Sequence, residues 1–200
     1  MTYQTTEFSD FSSELTSSKE MTDAVLTLLR GMGEDPNREG LLDTPKRVVK
    51  MYKELTAGYS KSEVEVINGA IFTVEHHDIV VVEDIPFYSL CEHHMLPFFG
   101  TCTIAYLPNG RVLGLSKFAR VVELFARGLQ VQERMTEEIA DCIQRHLEAE
   151  GVAVFVEAQH LCMAMRGVQK PHAKMRTRTY RGCFVNDQLK KNDLIQAMRS

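Results

Sequence analysis

Along the first third of the chain the apolar positions recur with a helical period. Met21, Val25, Leu28 and Leu29 predict a helix over residues 19–32, and GEDPNREG ends it with glycine and proline. DTPKRVVKMYKELTAGY predicts a second helix, with Thr44 at the N-cap, Pro45 in the tolerated first turn and Val48, Val49, Tyr52 and Leu55 as its stripe. Residues 1–18 carry only Phe8, Phe11 and Leu15 among serines, threonines and acids, and are expected to form a flexible or partner-docked arm.

From about residue 65 the period shortens to two. DIVVVEDI and FGTCTIAYL predict strands, and LPNGRVLGL places an Asn-Gly turn between two strand-like runs. SKFARVVELFARG predicts a helix from Ser116, as N-cap, to Gly128. QERMTEEIADCIQRHLEAEG predicts another, with Met135, Ile139, Ile143 and Leu147 every fourth residue. VAVFVEAQHLCMAM and KMRTRTYRGCF predict a strand pair, and a last amphipathic segment carries Leu189, Leu194, Ile195 and Met198. Helices first, then hairpin, helix pair and hairpin, favour an α+β architecture: an antiparallel sheet with helices on one side. The division read from this texture is an arm at 1–18, a helical region at 19–64 and a sheet-bearing domain at 65–200.

The 200 residues are 44% hydrophobic and 25% charged with a net charge of -4, enough apolar material for a real core and no basic excess of the kind nucleic-acid or membrane-surface binders show. No apolar run nears the roughly 20 residues that span a bilayer, and the N-terminus lacks the regions of a signal peptide. A cytoplasmic protein is expected. Five scattered cysteines then suggest burial or metal binding rather than disulfides.

CEHHMLPFFG crowds Cys91, Glu92, His93 and His94 into four positions after a strand. Cys91 and His94 have a C-x-x-H spacing suited to two ligands of one tetrahedral ion, and Cys162, read as lying on a strand, could bring a third. His160, two residues away and therefore on the same strand face, could be a fourth ligand or a catalytic group in the same pocket. Three ligands would leave a position for water, whose pKa zinc can lower to about 7. Cys102, Cys142 and Cys183 read as small core residues and His146 as solvated. Ser116, Lys117 and Arg120 at a helix start, with Arg166 and Lys170 later, read either as a phosphate site or as a solvated basic face. Glu133 is either a helix-start carboxylate or an acceptor for the N1–H and amino edge of guanine.

Taken together, CEHHMLPFFG, LGLSKFARVVE, LQVQERMTEEIA and EAQHLCMAMRGVQ resemble GTP cyclohydrolase I in order and spacing, and REGLLDTPKRV matches its N-terminal helical region. The resemblance covers roughly residues 20–200. It implies the tunnelling fold, an antiparallel sheet with helices packed on one face, as a catalytic domain over 65–200 behind N-terminal helices. It implies a homodecamer of two pentamers with active sites at subunit interfaces, one Zn2+ per subunit, GTP as substrate, and no nucleic-acid or membrane partner. By motif position it assigns Cys91, His94 and Cys162 as zinc ligands and His160 as the acid/base at purine N7 and C8. His93 becomes a second proton handler, Ser116 a hydroxyl near the ribose, Glu133 with Gln132 the guanine anchor, and Lys117, Arg120 and Arg166 triphosphate ligands. The implied reaction opens the GTP imidazole ring at C8, releases formate and forms 7,8-dihydroneopterin triphosphate, the first step of tetrahydrofolate and pterin biosynthesis. A nitrile reductase of the same fold would call instead for a nucleophilic cysteine and NADPH. Arg176, Arg178 and Arg181 make one segment more basic than the family pattern, and their role is left open.

Overall fold

The computed structural model describes residues 18–198; apart from Ser18, the N-terminal arm lies outside the described residues. The chain divides into two compact units between Glu54 and Leu55. The first holds α1 (Ser18–Gly31), a 3-10 turn at Glu39–Leu41 and most of α2 (Thr44–Leu55). Leu29, Pro36, Pro45 and Val49 are its buried positions, while Leu28 is 63% exposed. Neighbouring helical residues sit about 100° apart, so Leu28 falls off the line that Val25 and Leu29 share.

The second unit begins with α3 (Glu63–Ile67), whose start is closed by Ser62 and Glu65 each capping the other's backbone N–H. The strands follow: β1 (Ile71–Thr73), β2 (Val80–Cys91), β3 (Pro97–Leu107) and β4 (Arg111–Leu113). Next come α4 (Leu115–Ala126), β5 (Leu129–Gln130) and α5 (Gln132–Leu147). β6 (Gly151–His160), α6 (Leu161–Ala164), β7 (Met175–Gly182), α7 (Cys183–Asn186) and α8 (Gln188–Ala197) complete the described chain. The main sheet has the order β5-β2-β3-β6-β7, antiparallel except for the short β2–β5 pairing. The Asn-Gly turn does not close a hairpin between its flanking runs: β4 leaves β3 and pairs with β1 in a separate two-stranded ribbon.

Alternation sorts the sheet into two faces. Cys102, Ile104 and Tyr106 on β3 and Val152, Val154 and Val156 on β6 pack with Phe118, Val121 and Val122 of α4 and the Met135–Ile139–Ile143–Leu147 stripe of α5. Burying each such side chain stabilises the fold by about 1.5–3 kcal/mol. On the other face Ala105 and Ala153 meet Phe184 of α7 and Leu194 of α8. Leu189 is 76% exposed, so α8 does not carry the broad apolar face its sequence suggested. Among the described residues no helix is long and apolar enough to cross a membrane.

At Gly100, paired with Ala158 across β3 and β6, the strands leave no room for a side chain. A Cβ there would run into the Glu157 carbonyl oxygen and lie 2.7 Å from Ala158 Cα. Gly100→Ala is therefore expected to destabilise the protein by about 2–3 kcal/mol, read as a lower urea midpoint; an unchanged midpoint would mean that β3 can shift without loss.

Candidate metal and proton-transfer site

The β2–β3 hairpin turns on Cys91. Its carbonyl accepts from Met95 N at 2.8 Å and His94 N at 3.3 Å, and its own N–H donates to Leu96 O at 2.8 Å. Met95 takes the left-handed conformation (φ 54°) that this tight return demands. Glu92 N donates to Gln130 O, and the Glu92 carboxylate accepts from Arg134 of α5 at 2.5 Å. Glu92 is thus the tie that fastens the turn to the start of α5. The turn holds the buried Cys91 Sγ 3.8 Å from the Nδ1 atoms of both His93 and His94.

β6 ends at His160, and residues 161–164 form a single helical turn rather than more strand. The expectation that Cys162 shares a strand face with His160 is therefore corrected: the helical turn, not alternation, carries Cys162 back toward Cys91. One ligand atom each from Cys91, His94 and Cys162 lies within 4.8 Å of the others. Zn–S near 2.3 Å and Zn–N near 2.0 Å at tetrahedral angles need sulfur and nitrogen roughly 3.6 Å apart, close to the Cys91–His94 separation. Burial and the adjacent Cys91 thiol push Cys162 up, so ionising both thiols calls for a cation between them. The donor set fits a zinc-type ion. Arg166 Nη1 lies 3.1 Å from His94 Nε2, at the edge of the same trio.

His160 stands opposite Phe98 in the β3–β6 register and stacks on its ring, centroids 4.6 Å apart and planes within 1°. Its Nε2 lies 2.8 Å from Gln132 Oε1. Gln132 is 1% exposed, and its Nε2 faces Val156 O and Met175 O at 3.1 Å and Thr177 Oγ1 at 3.2 Å. Carbonyl oxygens only accept, so the amide nitrogen belongs on that side and Oε1 belongs toward His160. His160 Nε2 must then carry a hydrogen, leaving Nδ1 as the ring nitrogen free to exchange a proton. Thr136 Oγ1 contacts both Gln132 O and Thr177 Oγ1 at 2.6 Å, closing the network. Burial lowers the His160 pKa, and the nearby Glu133 carboxylate opposes that shift. Glu133 is exposed, on a cleft of about 260 Å³ that Thr136, Glu137, Thr177, Arg178 and Thr179 also line.

Of the basic cluster, Arg166 borders the trio, while Lys117 and Arg120 sit on α4. Gly114, not Ser116, is the N-cap of α4; Ser116 and Arg120 are exposed, and Lys117 Nζ donates to Val66 O at 2.9 Å. The far end of α4 leads into β5, which pairs with Leu90 and Cys91. Lys117 stands about 14 Å of helix rise before Ala126, toward the end of α4 away from β5.

A family model described as GTP cyclohydrolase I matches residues 21–199. The chain belongs to the GTP cyclohydrolase I family. It is 57% identical over 172 residues to a "GTP cyclohydrolase 1" of Allorhizobium ampelinum, covering 86% of each chain. It is 53% identical over 180 residues to "GTP cyclohydrolase 1 2" of Nostoc sp., 90% of this chain and 83% of that one. With "GTP cyclohydrolase 1" of Pseudoalteromonas translucida the identity is 52% over 172 residues, 86% and 94% respectively. The α+β core is accordingly the tunnelling fold of the GTP cyclohydrolase I family.

Sequence patterns did not point to two features. The Gln132 side chain, expected beside Glu133 at the guanine, is instead buried and committed to His160 and the strand carbonyls. His146, expected in solvent, is only 22% exposed in its side chain and meets Glu63 at 3.1 Å. Gln132→Leu strips two buried carbonyls and the His160 N–H of partners; it is expected to cost about 2–3 kcal/mol of stability, read from the urea midpoint, and a neutral result would show that water replaces the amide.

Proposed function

We propose that the protein is a zinc-dependent GTP cyclohydrolase I, opening the imidazole ring of GTP at C8, releasing formate and forming 7,8-dihydroneopterin triphosphate. The observation that carries this reading is the Cys91–His94–Cys162 donor set beside a histidine whose tautomer is fixed. Zinc, when bound, supplies Lewis acidity and a low-pKa water at neutral pH.

The chain's own residues do the rest. Glu133 accepts from guanine N1–H and the amino group, setting the base in the cleft beside α5. His160 handles the proton at N7 through its free Nδ1, while Gln132 holds the ring from behind. His93, exposed on the turn beside the ligands, serves as the second proton carrier for ring opening and the ribose rearrangement. Lys117, Arg120 and Arg166 neutralise the triphosphate and Ser116 meets the ribose. Lys117 and Arg120 stand toward the end of α4 away from β5 and the Cys91 turn, and a neighbouring subunit's α4 is the proposed source of these cations. The edges of the sheet suit such a ring: among the described residues β7 pairs only with β6, and β2 pairs on its outer side only at Leu90 and Cys91. A homodecamer of two pentamers, placement in the cytoplasm and a product feeding folate or pterin synthesis belong to the same proposal.

Zinc content and formate release from GTP, measured on one preparation, test it. About one zinc equivalent bound by the trio together with formate is the expected result; GTP bound unchanged, with no formate, would overturn the enzymatic reading. Cys162→Ala is expected to lose that zinc and activity together. His160→Ala is expected to keep zinc and GTP binding and lose about 100-fold or more in formate release; full activity would remove His160 from its role.

A further inference from the structure

A second set of donors converges where α3 meets α5. Cys142 and His146 are four residues apart on α5 and so lie on one side of it, and Glu63 reaches them from the first position of α3. Glu63 Oε2 is 3.1 Å from His146 Nε2, and one ligand atom from each of the three residues lies within 4.8 Å of the others. The Cys142 thiol is fully buried and forms the floor. The Glu63 and His146 side chains are 27% and 22% exposed, so the set opens to solvent on its outer side. Arg145 donates to Glu63 Oε1 at 2.7 Å and Oε2 at 2.9 Å.

We infer that Glu63, Cys142 and His146 form a second metal site, selective for a borderline divalent cation such as zinc. Carboxylate oxygen, thiolate sulfur and imidazole nitrogen are the three donor types zinc accepts, whereas magnesium and calcium have little use for sulfur or nitrogen. The Glu63 carboxylate meets His146 Nε2 at 3.1 Å, and the Cys142 thiol lies within 4.8 Å of both. Binding releases the thiol proton, and any second proton on the imidazole, to solvent. Arg145 keeps Oε1, giving the outer hydrogen bond that orients a ligand carboxylate. The thiolate and the carboxylate offset the dication, and the Arg145 guanidinium leaves one net positive charge at the outer edge. The ion would pin the start of α3, whose later residue Val66 supplies the carbonyl that holds Lys117.

The competing account is an ion pair between Glu63 and Arg145 that clamps α3 to α5, with Cys142 only filling the core. That pair needs neither thiol nor imidazole; the metal needs both. The decisive measurement is zinc per chain in the full-length protein after equilibration with zinc and removal of free ion. Wild type is expected to hold one equivalent more than Cys142→Ser and than His146→Ala, while Cys162→Ala loses a different equivalent. His146→Ala leaves the Glu63–Arg145 pair and the core thiol in place, so a misfolded Cys142 variant would not blur the answer. Cobalt(II) replacing zinc in Cys91→Ser/Cys162→Ser should show a thiolate charge-transfer band that Cys142→Ser removes. Equal zinc in wild type, Cys142→Ser and His146→Ala, or a band that survives Cys142→Ser, would overturn the inference. If wild type holds one equivalent that Cys142→Ser removes and Cys162→Ala does not, this site stands and the zinc assignment of the first trio falls.

Discussion

Phe98 lies across from His160 where β3 runs antiparallel to β6, and that pairing sets which groups can meet. Phe98 is seven residues beyond Cys91, so the pairing brings the β2–β3 turn to the end of β6, where His160 and Cys162 emerge. Sliding β3 by one residue would send Phe98 and Cys102 to the opposite face and carry the turn away from Cys162. Gly100 permits the close approach that seats the two strands, and the apolar pairs farther along, Ile104 with Val154 and Tyr106 with Val152, make the register expensive to change. A chemical constellation drawn from four elements thus depends on an alignment enforced mostly by hydrocarbon.

The polar part is small and closed. Gln132, Thr136 and Thr177 satisfy one another and two strand carbonyls, leaving one amide oxygen pointed at His160. Buried networks of this kind stiffen a site only when each member finds a partner. A neutral amide fixes the ring's orientation without adding a charge beside the metal donors, unlike a carboxylate in the same position.

How much of this could be read from the chain varies with the kind of signal. Period-two runs placed β2, β3, β6 and β7, and the fourfold spacing of Met135 to Leu147 gave the buried face of α5, because burial selects side chains at those intervals. C-x-x-H with Cys162 pointed to three donors that the structure brings within 4.8 Å of one another, since ligand chemistry allows few residue types. The helical turn at 161–164 was missed: QHLCMAM is apolar under either conformation and carries no glycine or proline to mark the change. The β4 pairing was missed because an Asn-Gly turn announces a reversal without saying which strand waits on the other side. Gln132 and the reach of Glu63 to His146 depend on contacts between residues from 24 to 83 positions apart, which no local pattern encodes.

β7 carries arginine at 176 and 178, alternating with the threonines that face α5, and its outer side has no strand partner among the described residues. Arg176 is held by Glu157 while Arg178 leaves a charge on that side, and charged side chains on an edge strand make it a poor template for chance pairing with other chains. Arginines without an assigned part in catalysis thus give the strand an edge that resists unplanned pairing.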